Sequence, residues 1–129
     1  MSRYSELLFA IAASVFTTVA FAQYQHRAFE GMDCTSGPVS KMLGGNEWQA
    51  YSCNDAKSVV LFAAPGNPAM PFYFMFLADG PGHRVVGEGT GSRAATAPAY
   101  KELQEYSESQ IQELIEQTKA IKPQREPSR

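Results

Sequence analysis

Between Glu47 and Glu88 the apolar residues of this chain repeat with a period near two, and between about Ala97 and Ile121 with a period near 3.6. The first region reads as four strands: Glu47–Cys53 around Trp48 and Tyr51, Lys57–Ala64, Phe72–Ala78 and His83–Glu88. Asn54-Asp55 and Asp79-Gly80-Pro81-Gly82 supply turns, and the three prolines of Pro65–Pro71 bar that stretch from a helix or a central strand. Links this short favour an antiparallel meander. The second region is an amphipathic helix with Pro98 in its first turn. Tyr100, Leu103, Ser107, Ile111, Leu114, Thr118 and Ile121 share one face, and Glu102, Glu105, Glu113 and Glu116 the other. Ser107 followed by Gln110 makes a capping box, so a break is expected near Tyr106. The predicted fold class is α+β: an antiparallel sheet of about four strands packed by a C-terminal amphipathic helix.

Both ends of the chain depart from these periods. Arg3 precedes an apolar run from Leu7 to Phe21 that ends in Ala20-Phe21-Ala22, the layout of a cleaved secretory signal peptide covering residues 1–22. The run is shorter than the roughly 20 apolar residues of a spanning helix, so no stable membrane anchor is expected after cleavage, and the address is periplasmic or secreted. Residues 23–46 read as an N-terminal arm with a short helix at Val39–Leu43 stopped by Gly44-Gly45. Residues 47–121 hold the α+β domain. The polar, proline-bearing tail 122–129 is expected to be disordered.

The two cysteines, Cys34 and Cys53, are read as a disulfide suited to an oxidising compartment. The formal net charge of −2 offers no basic surface, so nucleic-acid binding is not expected. The chain has no Gly-x-Ser-x-Gly elbow, its two histidines (His26 and His83) stand apart, and no metal-ligand spacing occurs. No catalytic, cofactor-binding or metal residues are therefore assigned, and the protein reads as non-enzymatic. Gly87-x-Gly89-x-Gly91 lies between a strand and a helix. Its spacing matches neither dinucleotide nor phosphate loops. With Ser92–Ala97 placed before the helix start, it reads as a structural turn.

Both faces of the predicted sheet are apolar. Phe72, Phe74 and Phe76 oppose Tyr73, Met75 and Leu77; Val59, Leu61 and Ala63 oppose Val60, Phe62 and Ala64. One helix covers only one face. The other is open to the N-terminal arm, a second copy in a homodimer, an apolar ligand or a protein partner. Tyr73, Met75 and Leu77 are the candidate apolar face. The turns supply the remaining contact candidates: His83 and Arg84 beside Asp79–Gly82, and Met70 in the proline-rich loop.

The stretch "WQAYSCNDAKSVVLF", Trp48 to Phe62, resembles the opening of the small bacterial periplasmic lysozyme inhibitors: aromatic-x-Cys, turn, Lys, apolar strand. The resemblance implies a secreted, disulfide-bearing antiparallel protein that blocks a glycan hydrolase with a protruding loop. The Ser-Gly-x-x-Tyr motif of that family is absent, since Pro38, Val39 and Ser40 follow Ser36-Gly37, and no inhibitory residue carries over. Turn geometry alone nominates His83 and Arg84. The expected function is a non-catalytic binding module, in its specific form an inhibitor of a lysozyme-type hydrolase. The alternatives are a carrier of a small apolar ligand and a self-associating envelope protein.

Overall fold

Five strands form one antiparallel sheet in chain order: β1 (Ser36–Leu43), β2 (Asn46–Ser52), β3 (Val59–Ala63), β4 (Phe72–Asp79) and β5 (Gly82–Gly89). Helices α1 (Arg93–Gln104) and α2 (Glu108–Lys119) follow. The structure is a computed structural model and describes residues 31–121. The expected signal segment 1–22, the arm residues before Gly31 and the tail 122–129 lie outside the described residues. The α+β class and the Cys34–Cys53 disulfide stand as expected.

The strand count does not: there are five strands, and the extra one is β1. Val39–Leu43, expected as a short helix within an arm, pairs with Asn46–Ala50 across the Gly44-Gly45 turn. Gly37 and Pro38 hide this strand, because they interrupt its register between Ser36 and Val39. The residues on either side alternate between exposed and half-buried as an edge strand should. Gly44 serves a turn and a contact together. Its φ is +60°, and a side chain there would press on Pro98 and the Ala99 amide of α1. Its own amide donates to the Glu102 carboxylate at 2.9 Å.

The helical region also begins earlier than its pattern suggested. Ser92 caps α1, its hydroxyl accepting from the Ala95 amide, so Pro98 lies inside the helix and not in its first turn. The break near Tyr106 is present: Ser107 caps α2 in a reciprocal box with Gln110, the Ser107 amide donating to Gln110 Oε1 at 2.8 Å. The early start of α1 corrects one premise about the glycine segment, since a helix terminus does follow Gly91 directly. The glycines are nonetheless occupied by the protein itself. A side chain at Gly89 would strike the Pro71 carbonyl, and one at Gly91 the Ala69 carbonyl. The Thr90 amide donates to the Pro71 oxygen at 3.1 Å. The segment is a close-packed turn.

The helices cover the face bearing Phe74 and Phe76. Those residues, with Leu43, Trp48, Val59 and Leu61 from the sheet and Leu103, Ile111, Leu114 and Ile115 from the helices, form one buried cluster. Trp48 stacks toward Phe74 with ring centroids 5.1 Å apart, and its indole NH donates to the Leu43 carbonyl at 3.2 Å. Gly87, directly across from Phe74, leaves room for the rings of Phe72 and Phe74. A buried hydroxyl pair, Ser52 with Thr118 at 2.6 Å, ties β2 to α2 without leaving either oxygen unpaired.

Candidate functional site

The opposite face of the sheet carries a second set of large apolar side chains. By register, Ser40, Gln49, Phe62, Tyr73 and Glu88 form one row across all five strands, and Tyr51, Val60, Met75 and Val86 form the next. Phe62 meets Tyr51 edge-on at 5.9 Å between centroids and Tyr73 at 5.8 Å. The face is uneven. Val60 and Met75 are both only 4 % exposed, whereas Phe62 is 43 % and Met42 64 % exposed. These two exposed residues lie toward the end of the sheet from which the Ala64–Pro71 loop projects, and Met70 in that loop is 55 % exposed.

The loop is held from within. Buried Asn67 donates from its amide to the Glu47 carbonyl at 2.8 Å and accepts from the Ala69 amide at 2.9 Å. The Asn67 amide donates to Ala64 O and the Met70 amide to Asn67 O, each at 3.0 Å. Four prolines and glycines (Pro65, Gly66, Pro68, Pro71) add little freedom to a loop so bonded, and a rigid loop loses less entropy when it docks.

Carboxylates border the aromatic patch. Glu47 accepts from the Ser40 hydroxyl at 2.8 Å, and Glu88 accepts from the Tyr73 hydroxyl at 2.6 Å. That hydrogen bond to Glu88, helped by partial burial and by the negative charge, pushes the Tyr73 phenol up to about 12. Tyr73 therefore stays a neutral donor across any ordinary pH. On the helix side, burial and nearby Glu102 raise the Tyr106 phenol. In the 53–58 loop, burial would push the Asp55 carboxyl up, but hydrogen bonds from the Ser58 hydroxyl and from the Ser58 and Lys57 amides outweigh it and hold it low.

The residues nominated by sequence do not converge. His83 and Arg84 are neighbours in β5 and so face opposite sides of the sheet. The His83 ring lies on the helix side, its side chain only 13 % exposed. One ring nitrogen lies 2.6 Å from the Lys57 carbonyl, to which it donates, and the other meets the Glu108 carboxylate of α2 at 2.5 Å. Both nitrogens are thereby engaged in joining β5, the 53–58 loop and α2. A cleft of about 390 Å³ beside this clamp is lined by Lys57, Pro81, His83, Glu108 and Gln112, among others. Arg84 is exposed on the aromatic side. Met70 sits at the far end of β4 from the Asp79–Gly82 turn, a strand length of about 25 Å away. Tyr73 and Leu77 are half-buried on the outer face, and Met75 is buried there. Among the described residues no group of three or more histidines, cysteines and carboxylates is placed to hold a metal, and no helix is long and apolar enough to cross a membrane.

Alternation along β3 places Phe62 on this face, but nothing in the sequence singles it out. No local pattern marks Glu108 as the partner of His83, because the two are separated by 25 positions. Compared with protein-family models, with curated proteins and with solved structures, the chain gives no match.

Proposed function

We propose that this protein is a secreted, non-catalytic binding module, and that it docks on a protein partner through the outer face of its sheet and the adjoining Ala64–Pro71 loop. One observation carries this reading: Phe62, in the central strand, is 43 % exposed between two tyrosines. Covering the part of this phenylalanine that is still exposed gains about 1 kcal/mol. Protein interfaces are enriched in tyrosine, phenylalanine, methionine and arginine, with charge kept to the rim. Here Tyr51, Phe62, Tyr73, Met42 and Met70 supply the apolar part and Glu47 and Glu88 the rim, so a partner with basic groups around an apolar patch fits best. The disulfide suits an oxidising compartment, consistent with the secretory layout of residues 1–22.

The resemblance of Trp48–Phe62 to the periplasmic lysozyme inhibitors gives the proposal its most specific form: inhibition of a glycan hydrolase. In that form Met70 on its rigid loop, and not the clamped His83, is the inserted residue, and Arg84 is a peripheral contact. The test is a cell-wall turbidity assay with excess protein against several lysozyme types. Inhibition should be lost in Phe62→Ser and Met70→Ser and kept in a variant at the distant Ile121. Undiminished lysis in every case would remove the inhibitor reading.

A further inference from the structure

The two edges of the sheet are built differently. At β1, Pro38 lacks an amide donor, Lys41 carries a charge and the register shifts between Ser36 and Val39, three features that discourage a further strand from pairing. At β5, pairing with β4 runs through eight consecutive positions without a shift, and the strand contains neither proline nor lysine. Among the described residues no strand pairs with its other side.

The hydrogen-bond phase of β5 follows from its turn. Gly80-Pro81 is a two-residue loop with Gly80 at φ +56°, so Asp79 and Gly82 form the closing hydrogen-bonded pair. Alternation then aims the backbone groups of Gly82, Arg84, Val86 and Glu88 at β4, and the bond from the Thr90 amide to the Pro71 carbonyl keeps that phase. The amides and carbonyls of His83, Val85, Gly87 and Gly89 point away from the sheet. The side chains of Arg84, Val86 and Glu88 stand on the outer face as cation, apolar group and anion, and that order is self-complementary when reversed.

We infer that two copies of this chain pair antiparallel along β5, about a two-fold axis at Val86, to make one continuous sheet. In this register Val85 exchanges backbone bonds with the partner's Gly87. Arg84 stands opposite the partner's Glu88 at a non-hydrogen-bonded position, where Cα atoms approach to about 4.5 Å and side chains are closest. Centring the pair on Val85 or Gly87 satisfies the backbone equally but separates the charges: on Val85, Arg84 faces Val86 and Glu88 faces Gly82, and on Gly87, Glu88 faces Val86 and Arg84 faces Thr90. Centring it between residues sets inward-facing groups against outward-facing ones. The Tyr73 hydroxyl already fixes Glu88 through Oε2, leaving Oε1 for the arginine. A two-fold axis normal to the sheet brings both outer aromatic faces to the same side.

The experiment is native mass spectrometry and light scattering of the oxidised protein over a concentration series, with circular dichroism as the folding control. The wild type should double its mass as concentration rises. Arg84→Glu and Glu88→Arg should each weaken the dimer by about ten-fold or more, since each sets like charges opposite one another twice. Mixed together, the two variants should form a heterodimer. Val86→Cys should give a disulfide-linked dimer, and Arg84→Cys should not, because only Val86 faces its own copy. A wild type that stays monomeric at its highest soluble concentration overturns the inference. So do single charge variants that remain dimeric, or a Val86→Cys chain that never crosslinks.

Discussion

Phe74 and Phe62 stand on adjacent central strands, and the molecule treats them oppositely. Phe74 is 2 % exposed beneath the helices and makes ring contacts with Trp48, Phe72 and Tyr100. Phe62 is 43 % exposed, and its ring neighbours are the half-buried Tyr51 and Tyr73. The two faces are similarly rich in large apolar residues, so composition does not separate core from surface. Coverage does. The helix side is closed by α1 and α2 and finished with small residues, Gly87 and Ala99, that let rings and backbone approach. On the outer side Val60 and Met75 are buried, but Phe62 is left partly open with Glu47 and Glu88 at the border of the patch. A face assembled in that way serves contact with another molecule better than it serves stability.

The largest effect that would break this contrast is in the pair of phenylalanines themselves. Phe74→Ala should cost roughly 3–5 kcal/mol in chemical denaturation, because it opens a cavity in the packed cluster. Phe62→Ala should cost about 1 kcal/mol, the worth of its two ring contacts. Equal losses would mean that the outer face is a second core. Next in size is the clamp that seats α2 on the helix side. His83→Ala should lower stability by about 1 kcal/mol, because the half-exposed Glu108 carboxylate and the Lys57 carbonyl both lose their partner to water. The effect should be largely absent when the same substitution is made in a Glu108→Ala, Lys57-loop-shortened background.

The smallest effect sharpens the picture of the outer face. The Tyr73 phenol, raised from 10.0 to about 12 by its bond to Glu88, is held protonated by the folded state. Its stabilising contribution is complete below pH 10 and is lost as pH climbs from there toward 12. Absorbance titration of tyrosine ionisation should show late components from Tyr73 and Tyr106, the Tyr73 one identified by its loss in Tyr73→Phe. Glu88→Gln should return the Tyr73 component toward the ordinary tyrosines, leave that of Tyr106 in place, and change the melting temperature little.

Much of the fold was legible along the chain. Alternation in Glu47–Cys53 and Phe72–Ala78 located β2 and β4 nearly to the residue, and Ser107 with Gln110 located the start of α2. These are local signals: a pleat repeats every two residues, and a cap is closed within four. β1 was not legible because Gly37 and Pro38 speak against a strand, and only pairing with β2 overrides them. The start of α1 was missed for a similar reason. Pro98 looks like a first-turn residue, yet the Ser92 cap and the packing of Gly44 on Pro98 and Ala99 extend the helix ahead of it.

The candidate site divides along the same line. The sequence by itself determined that the sheet has two apolar faces, because side-chain alternation in a strand admits no other arrangement of "FYFMFL". It also determined the cysteine pairing, since the described chain offers one partner for each thiol. Only the tertiary structure decided which face the helices close, that His83 is spent on Glu108 and the Lys57 carbonyl, and that Phe62 stays at the surface. Those outcomes rest on contacts between residues tens of positions apart. Such contacts form when whole elements pack against one another, and no periodicity within one element encodes them.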